Sequence, residues 1–156
     1  MVDTICVWRY TPCVATVFYH PAFARRYEWL CQQAALQDIA GEVSQLLSAL
    51  EEYGHEIEGE ADEDPSHPVV TAKVQMFALR RTPPTGVTPY ADGPPVLRIP
   101  YVWFFGNDGE VAVVMMIDDK TELGNRWYPH AVARIEGELI PSWVQSHPEH
   151  RPIRRS

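Results

Sequence analysis

The sequence predicts an α+β fold in which a twisted antiparallel sheet carries a helical hairpin on one face. Two helical patterns come early, between residues 22 and 50, and the clearest strand patterns come later, between residues 69 and 117. The strongest strand pattern is a pair of apolar segments joined by Gly106-Asn107-Asp108-Gly109. A turn of this composition between two such segments is typical of a β-hairpin. The predicted order is therefore β-α-α-β-β-β, followed by a short C-terminal helix.

Length and composition favour one globular domain, which we place at residues 1–145. The chain has 156 residues, of which 46% are hydrophobic, 11% aromatic and 22% charged, as in proteins with a packed core. Its formal net charge of −8 argues against a protein that coats nucleic acid through bulk charge. The basic residues are unevenly spread along the chain, so a local basic face stays open as an interpretation.

The sequence also predicts a cytoplasmic protein without a membrane segment. Its longest apolar runs are too short to span a bilayer. The N-terminus carries Asp3 and lacks the basic-then-apolar layout of a signal peptide. The cysteines show no C-x-x-C spacing, which is typical of reduced thiols in the cytosol.

The first half of the chain alternates strand and helix patterns. Residues 4–10 and 14–19 are rich in β-branched and aromatic side chains, which predicts two short strands, and residues 1–13 form an N-terminal extension. Residues 22–35 carry apolar side chains at helical spacing. A second helix ends before Gly54, which suits a C-cap. Its single apolar stripe is Leu36, Ile39, Val43, Leu46, Leu47 and Leu50.

Two polar segments interrupt the middle of the chain. Residues 55–68 form an acidic loop, since eight acids and no Lys or Arg lie between residues 51 and 64. This loop is either a solvated connection or a patch that mimics nucleic acid or docks a basic partner. After a predicted strand at 69–81, residues 82–95 form a loop in which five of fourteen residues are proline.

The last third contains the hairpin and a helix. The hairpin strands are predicted at 96–105 and 110–117, and residues 131–144 form a helix that is broken at Pro141. The polar, Pro-containing residues 146–156 are expected to be a disordered tail.

At this point the residues suggest a family. An early strand feeds a helical hairpin, and the later strands read ALR (78–80), LRIPYVW (97–103) and DDKTELGNRWY (118–128). The order of these elements and their sequence motifs resemble those of small toxins of the RelE/ParE superfamily, closest to the HigB-like and phage-derived branch. The resemblance covers roughly residues 14–140 and implies a RelE-like α+β domain.

The resemblance implies a toxin of a toxin–antitoxin pair. RelE-like members cleave mRNA on the ribosome, and ParE-like members inhibit DNA gyrase. A cognate antitoxin, often with a helix-turn-helix, would then be the protein partner, with ribosome and mRNA as further partners. This chain is acidic where such toxins are basic, and it has additional segments. A non-catalytic protein-binding module on the same scaffold, gyrase-inhibitor-like or accessory, therefore stays open as the alternative.

RNA cleavage without a metal needs a base for the ribose 2′-OH, an acid for the leaving 5′-oxygen, and cations for the charge on phosphorus. Arginine and lysine supply the cations, histidine and tyrosine the acid and base, and tryptophan a surface for stacking on a base. The catalytic candidates are Lys120, Arg98, Tyr128 and His130. The substrate-binding candidates are Arg80, Arg126, Trp127 and Lys73.

Each of the main candidates also has a structural interpretation. Arg98 can pair with Asp118 or Asp119 across the hairpin, and Lys120 can form a surface ion pair. Trp127 can fill the core, and His130 can cap the final helix. The sequence contains no phosphate-binding glycine loop, G-x-S-x-G, H-E-x-x-H or EF-hand pattern, so we expect no cofactor and no metal.

Overall fold

The computed structural model describes residues 15–61, 63–81, 97–120 and 123–156. Within these ranges the chain is an α+β protein, as predicted, with a mixed sheet between two layers of helix. The predicted strand at 4–10, the N-terminal extension and the Pro-rich loop at 82–95 lie outside the described residues. In the part of the chain that is described, no helix is long and apolar enough to cross a membrane.

The strands and helices are as follows. The strands are β1 (Thr16–Tyr19), β2 (Ser66–Pro68), β3 (Met76–Leu79), β4 (Leu97–Gly106), β5 (Gly109–Val114), β6 (Asp118–Asp119) and β7 (Arg151–Pro152). The helices are α1 (Pro21–Gln32), α2 (Gln37–Tyr53), α3 (Trp127–Arg134) and α4 (Ile140–Ser146). A π-helical segment, Ile135–Leu139, joins α3 to α4, and 3₁₀ turns lie at Ala34–Leu36, Gly54–Ile57 and Gly124–Arg126.

The sheet has the strand order β1-β5-β4-β3-β2, with β6 and β7 pairing with the two ends of β4. The predicted hairpin is confirmed, because β4 and β5 pair antiparallel around the Asn107-Asp108 turn. Gly109 closes this turn at a φ of 127°, which favours glycine. The prediction of a wholly antiparallel sheet is wrong at one edge, where β1 runs parallel to β5. Strands β1 and β5 are separated by two helices and three strands, so no short hairpin turn between them forces them to be antiparallel.

The early elements follow the local sequence patterns closely. In α1, His20 is the N-cap and its Nδ1 accepts from the backbone N–H of Ala22 at 3.0 Å, while Pro21 provides the first turn. Helix α2 buries Val43, Leu46, Leu47 and Leu50 of its predicted stripe, with Leu36 and Ile39 partly buried. It ends at Gly54, whose φ of 56° and N–H bond to the Leu50 carbonyl make the C-cap. The strand at 14–19 and both early helices are therefore confirmed within a few residues.

Helices cover both faces of the sheet, whereas the sequence analysis placed them on one face. Helices α1 and α2 pack on the face that contains Ile99, Tyr101 and Trp103 of β4. The C-terminal helices pack on the opposite face, against Val102 and Phe104. The sequence contains a signal for this, because β4 and β5 are almost continuously apolar rather than alternating, as in strands buried on both faces.

The C-terminal helix is longer than predicted and is not broken at Pro141. It begins at Trp127 and continues through the π-helical segment into α4. A proline within a helix lacks an N–H and clashes with the carbonyl four residues earlier. The wider π turn lies just before Pro141 and accommodates it, so the chain remains helical to Ser146.

The predictions for the middle of the chain are wrong in part. The acidic loop at 55–68 contains β2, which pairs antiparallel with β3. The predicted strand at 69–81 shrinks to β3, and residues 69–75 form turns and an isolated bridge between Val74 and Arg154. These pairings are made with distant segments, so local composition does not reveal them.

The prediction of a disordered tail at 146–156 is also wrong. Strand β7 pairs with Phe104 and Phe105 of β4, and Ile153 is buried in the core beneath α2. His150 is buried as well, and its Nδ1 accepts from the indole N–H of Trp143 at 3.0 Å. One apolar anchor and the open edge of β4 therefore outweigh the polar composition of the tail.

Candidate functional site

A polar cluster lies on the sheet face that the C-terminal helices cover. In the sheet register His67 of β2 pairs with Ala78, and Ala78 pairs with Pro100 of β4. Arg98, two residues before Pro100, shares its face because side chains alternate along a strand. Helix α3 begins above this face and brings Tyr128 onto it.

A chain of hydrogen bonds joins Arg98, Tyr128 and His67. Arg98 Nε donates to the Tyr128 hydroxyl oxygen at 3.0 Å, and that hydroxyl lies 3.2 Å from His67 Nε2. His67 Nδ1 lies 3.2 Å from the carbonyl oxygen of Pro68, which can only accept. The neutral ring therefore carries its proton on Nδ1, and Nε2 accepts from Tyr128. The result is a tyrosine hydroxyl held between a cation and an unprotonated imidazole nitrogen.

Lys120 adds a second cation to this cluster. Its Nζ lies 5.1 Å from the centroid of the Tyr128 ring, within the range of a cation–π contact, and donates to Asn125 Oδ1 at 3.0 Å. The 3₁₀ turn that carries Asn125 starts at Gly124, whose φ is 57° and whose N–H bonds to the Lys120 carbonyl. This tight turn directs the chain from β6 into α3, so that Lys120 and Tyr128 meet.

The cluster opens onto a cleft of about 280 Å³. His67 and Tyr128 both line the cleft, whereas Arg98 and Lys120 do not, and all of these side chains except the half-buried Tyr128 are buried, with His67 5%, Arg98 3% and Lys120 6% exposed. The remaining lining residues that the structure describes are Ala61, Pro68, Val69, Val70, Thr71, Asn125 and Pro129. A ligand in the cleft would therefore contact the His67 imidazole and the Tyr128 phenol directly. The positive charges of Arg98 and Lys120 would act on it at longer range.

Arg80 and Trp127 lie near the cluster but are engaged elsewhere. Arg80 follows the Leu79–Ile99 pair, and its Nε lies 3.1 Å from Asp64 Oδ1. Trp127 is 2% exposed, packs in the core and donates from Nε1 to Asp118 Oδ2 at 2.9 Å. The structural interpretation of Trp127 therefore matches its position, and its ring is not available to stack on a base.

The other candidates point to solvent. Arg126 is exposed on its 3₁₀ turn, and His130 is exposed on α3. His130 lies two residues after Tyr128, which turns it to the opposite side of the helix. Lys73 is exposed, and its backbone N–H donates to Glu136 Oε2 at 2.6 Å. The structure thus brings together Arg98, Lys120 and Tyr128, and it adds His67, which the sequence analysis missed.

His67 was missed because nothing local distinguishes it. It lies in the segment taken for an acidic loop, between Ser66 and Pro68, in a strand of three residues. The pairing with β3, and the approach of α3 from the far end of the chain, bring its Nε2 to Tyr128.

A second polar network lies on the other face of the sheet. The Glu58 side chain is only 8% exposed, and its Oε2 accepts from the Tyr101 hydroxyl at 2.8 Å and from Trp103 Nε1 at 2.6 Å. Its Oε1 lies 2.7 Å from His55 Nδ1, and His55 Nε2 lies 2.8 Å from Glu110 Oε1. The His55 ring also stacks on Trp103 at 3.8 Å between centroids. We call these residues the Glu58 network; it ties the acidic segment to the sheet.

Among the described residues, no group of three or more His, Cys, Asp or Glu side chains is placed to hold a metal ion. No family model matches the chain, and no curated protein or solved structure matches it either. A proposal for the function of this chain therefore rests on the geometry of the cleft.

Proposed function

We propose that this chain is a RelE-like toxin that cleaves mRNA on the ribosome, without a metal, and is held inactive by a cognate antitoxin. The observation that carries the proposal is the Arg98–Tyr128–His67 hydrogen-bond chain, of which Tyr128 and His67 line the cleft, with Lys120 against the tyrosine ring. These groups supply the acid, base and cations that RNA cleavage needs.

The order of elements supports the RelE-like part of the proposal. Strand β1 leads into the α1–α2 hairpin, and β3 ends one residue before Arg80. Strand β4 opens on Leu97-Arg98, and β5 leads through β6 to Lys120 and then to Tyr128. Of the positions on which the resemblance rests, Tyr128 lines the cleft, and Arg98 and Lys120 contact Tyr128.

The proposed reaction uses each group in one role. The ribose 2′-oxygen attacks phosphorus, the bond to the 5′-oxygen breaks, and a 2′,3′-cyclic phosphate forms. His67 Nε2 takes the proton of the 2′-hydroxyl, and Tyr128 gives its proton to the leaving 5′-oxygen. Arg98, which already donates to the phenol oxygen, stabilises the charge that develops there, and Lys120 adds to this field. Substrate enters by replacing the resting Tyr128–His67 hydrogen bond.

The first experiment is induced expression of the chain alone in a bacterial host, with growth followed and new mRNA 5′ ends mapped. The proposal predicts growth arrest and cuts within translated frames. Arrest without cuts would contradict the nuclease and would indicate a protein target such as gyrase.

Two matched histidine variants locate the chemistry. His67→Asn keeps a donor for the Pro68 carbonyl but removes the Nε2 acceptor, so we expect cleavage to fall by about 100-fold or more. His130→Asn changes an exposed histidine on the other side of α3 and should leave cleavage unchanged. Equal cleavage by wild type and a folded His67→Asn would contradict the assigned base.

A second candidate function is a non-catalytic module that binds a protein segment. The observation in its favour is the lining of the cleft, where Pro68, Val69 and Pro129 are apolar and Val70 stands exposed at the rim. The burial of Arg98 and Lys120 and the net charge of −8 also keep a phosphate at a distance. This candidate predicts no new mRNA 5′ ends whether or not growth stops, and a Val70→Asp variant that loses its partner while folding normally.

A further inference from the structure

A basic groove lies at the end of β5, apart from the His67–Tyr128 cleft. Its volume is about 470 Å³, and it shares no lining residue with that cleft. One wall is the outer side of α1, the other is the end of α3, and the floor is the segment 116–118. The lining residues are Ala22, Arg25, Arg26, Trp29, Met116, Ile117, Asp118 and Arg134.

The charge of the groove is opposite to that of the whole protein. Three guanidinium groups, those of Arg25, Arg26 and Arg134, face one carboxylate, that of Asp118. Asp118 already accepts a hydrogen bond from Trp127, and its other oxygen accepts from the backbone N–H of Asp119. The groove is therefore a local positive site on a protein with a formal net charge of −8. It attracts an anion, while the rest of the surface repels polyanions.

Trp29 gives the groove an aromatic surface. It is 43% exposed, and the guanidinium carbon of Arg26 lies 4.5 Å from the centroid of its ring. Positions 25, 26 and 29 lie on one side of α1, because residues three and four apart are neighbours on a helix. An exposed indole beside arginines is the arrangement that stacks an unpaired base while cations hold its phosphate.

We propose that this groove binds single-stranded nucleic acid, with Arg25 and Arg134 on backbone phosphates and a base stacked on Trp29. An acidic peptide would need the arginines but not the indole, and a duplex would keep its bases stacked and out of reach of Trp29. The proposal does not depend on cleavage at the His67–Tyr128 cleft.

The test is fluorescence anisotropy with a labelled oligothymidylate of about 12 nucleotides, long enough for one such site. This DNA probe lacks the 2′-OH and cannot be cut, so binding is read separately from any nuclease activity. We expect wild type to bind, Trp29→Ala to bind about 5- to 100-fold more weakly, and Trp29→Phe to keep most of the affinity. Arg25→Gln and Arg134→Gln should each lower the dependence of log affinity on log salt by about 0.7.

Arg81→Gln is the matched control, because Arg81 is an exposed arginine paired with Glu42 of α2, away from the groove. It should bind like wild type. The proposal is overturned if wild type does not bind the probe, or if the Trp29 and arginine variants bind as well as wild type. It is also overturned if duplex DNA or polyglutamate competes as strongly as unlabelled oligothymidylate, because the groove would then be a general anion site.

Discussion

The two faces of the sheet each carry a network built from the same kinds of side chain. On the face of α1 and α2, a tyrosine, a histidine and a buried charge meet in Tyr101, His55 and Glu58. On the other face, the corresponding groups are Tyr128, His67 and Arg98. Residue types alone therefore do not separate a structural network from a catalytic one.

The two networks differ in their hydrogen bonding and in their access to an open cleft. Glu58 is a carboxylate whose two oxygens already receive the Tyr101 hydroxyl, the Trp103 indole and the His55 ring. In the cleft, the Tyr128 hydroxyl accepts from Arg98 and bonds to the acceptor nitrogen of His67, and the His67 and Tyr128 side chains line an open space. A buried charge with all its partners holds the fold together, and an exchangeable hydrogen bond at a cleft is available to a substrate.

The largest predicted effect is on stability and comes from the Glu58 network. Glu58→Ala removes the acceptor of the buried Trp103 indole N–H and one of two partners of the Tyr101 hydroxyl, which also bonds to Ser66 Oγ at 2.8 Å. We expect the free energy of unfolding to fall by about 3 kcal/mol, measured by urea denaturation. Glu56→Ala, an exposed glutamate on the same 3₁₀ turn, is the control and should have little effect. A loss below about 1 kcal/mol for Glu58→Ala would break the comparison.

A smaller effect of pH follows from His55. Partial burial works to lower the pKa of His55, but the hydrogen bonds and charges of Glu110 and Glu58 outweigh it and raise the pKa above its ordinary 6.5. The unfolded chain then loses this proton at a lower pH than the folded chain. The stabilisation is complete below pH 6.5 and is lost as the pH rises through the raised pKa of the folded chain. The ring is half exposed, so the effect should be modest.

The measurement is the urea midpoint of wild type and His55→Gln between about pH 6 and about pH 9, which brackets an ordinary or raised histidine pKa. The difference between the two proteins should shrink as the pH rises. An equal difference at every pH would mean that the charge of His55 does not stabilise the fold.

The sequence predicts those parts of the fold that depend on neighbours in the chain. Helix α2 follows from one apolar stripe and a glycine, and the β4–β5 hairpin follows from two apolar segments and a turn. Strand β2 and the tail could not be predicted in this way, because contacts with distant strands order them. In the tail, the contact is made by the buried side chain of Ile153. The layer formed by α3 and α4 was misplaced because the continuous apolar run of β4 was not read as burial on both faces.

The candidate site divides in the same way. Arg98, Lys120 and Tyr128 were predicted from the sequence of the hairpin and of the segment that follows it. In the structure Arg98 and Lys120 both contact Tyr128. His67 was not, since its role rests on a hydrogen bond across sixty-one positions of the chain. Trp29, Arg25 and Arg26 were also missed, because they lie on a helix, α1, whose sequence was interpreted only for its buried side.

The same substitution in each network separates the proposed catalytic role of the Tyr128 hydroxyl from the structural role of the Tyr101 hydroxyl. Tyr128→Phe and Tyr101→Phe each remove one hydroxyl, and growth arrest and the urea unfolding of each variant are measured together. Tyr128→Phe takes one partner from the buried Arg98 and His67, so it should abolish the arrest and lower the unfolding free energy by about 1–3 kcal/mol while the protein stays folded. Tyr101→Phe should lower that free energy by about 1–3 kcal/mol and keep the arrest. Full arrest by Tyr128→Phe, or loss of arrest by a folded Tyr101→Phe, would contradict the account.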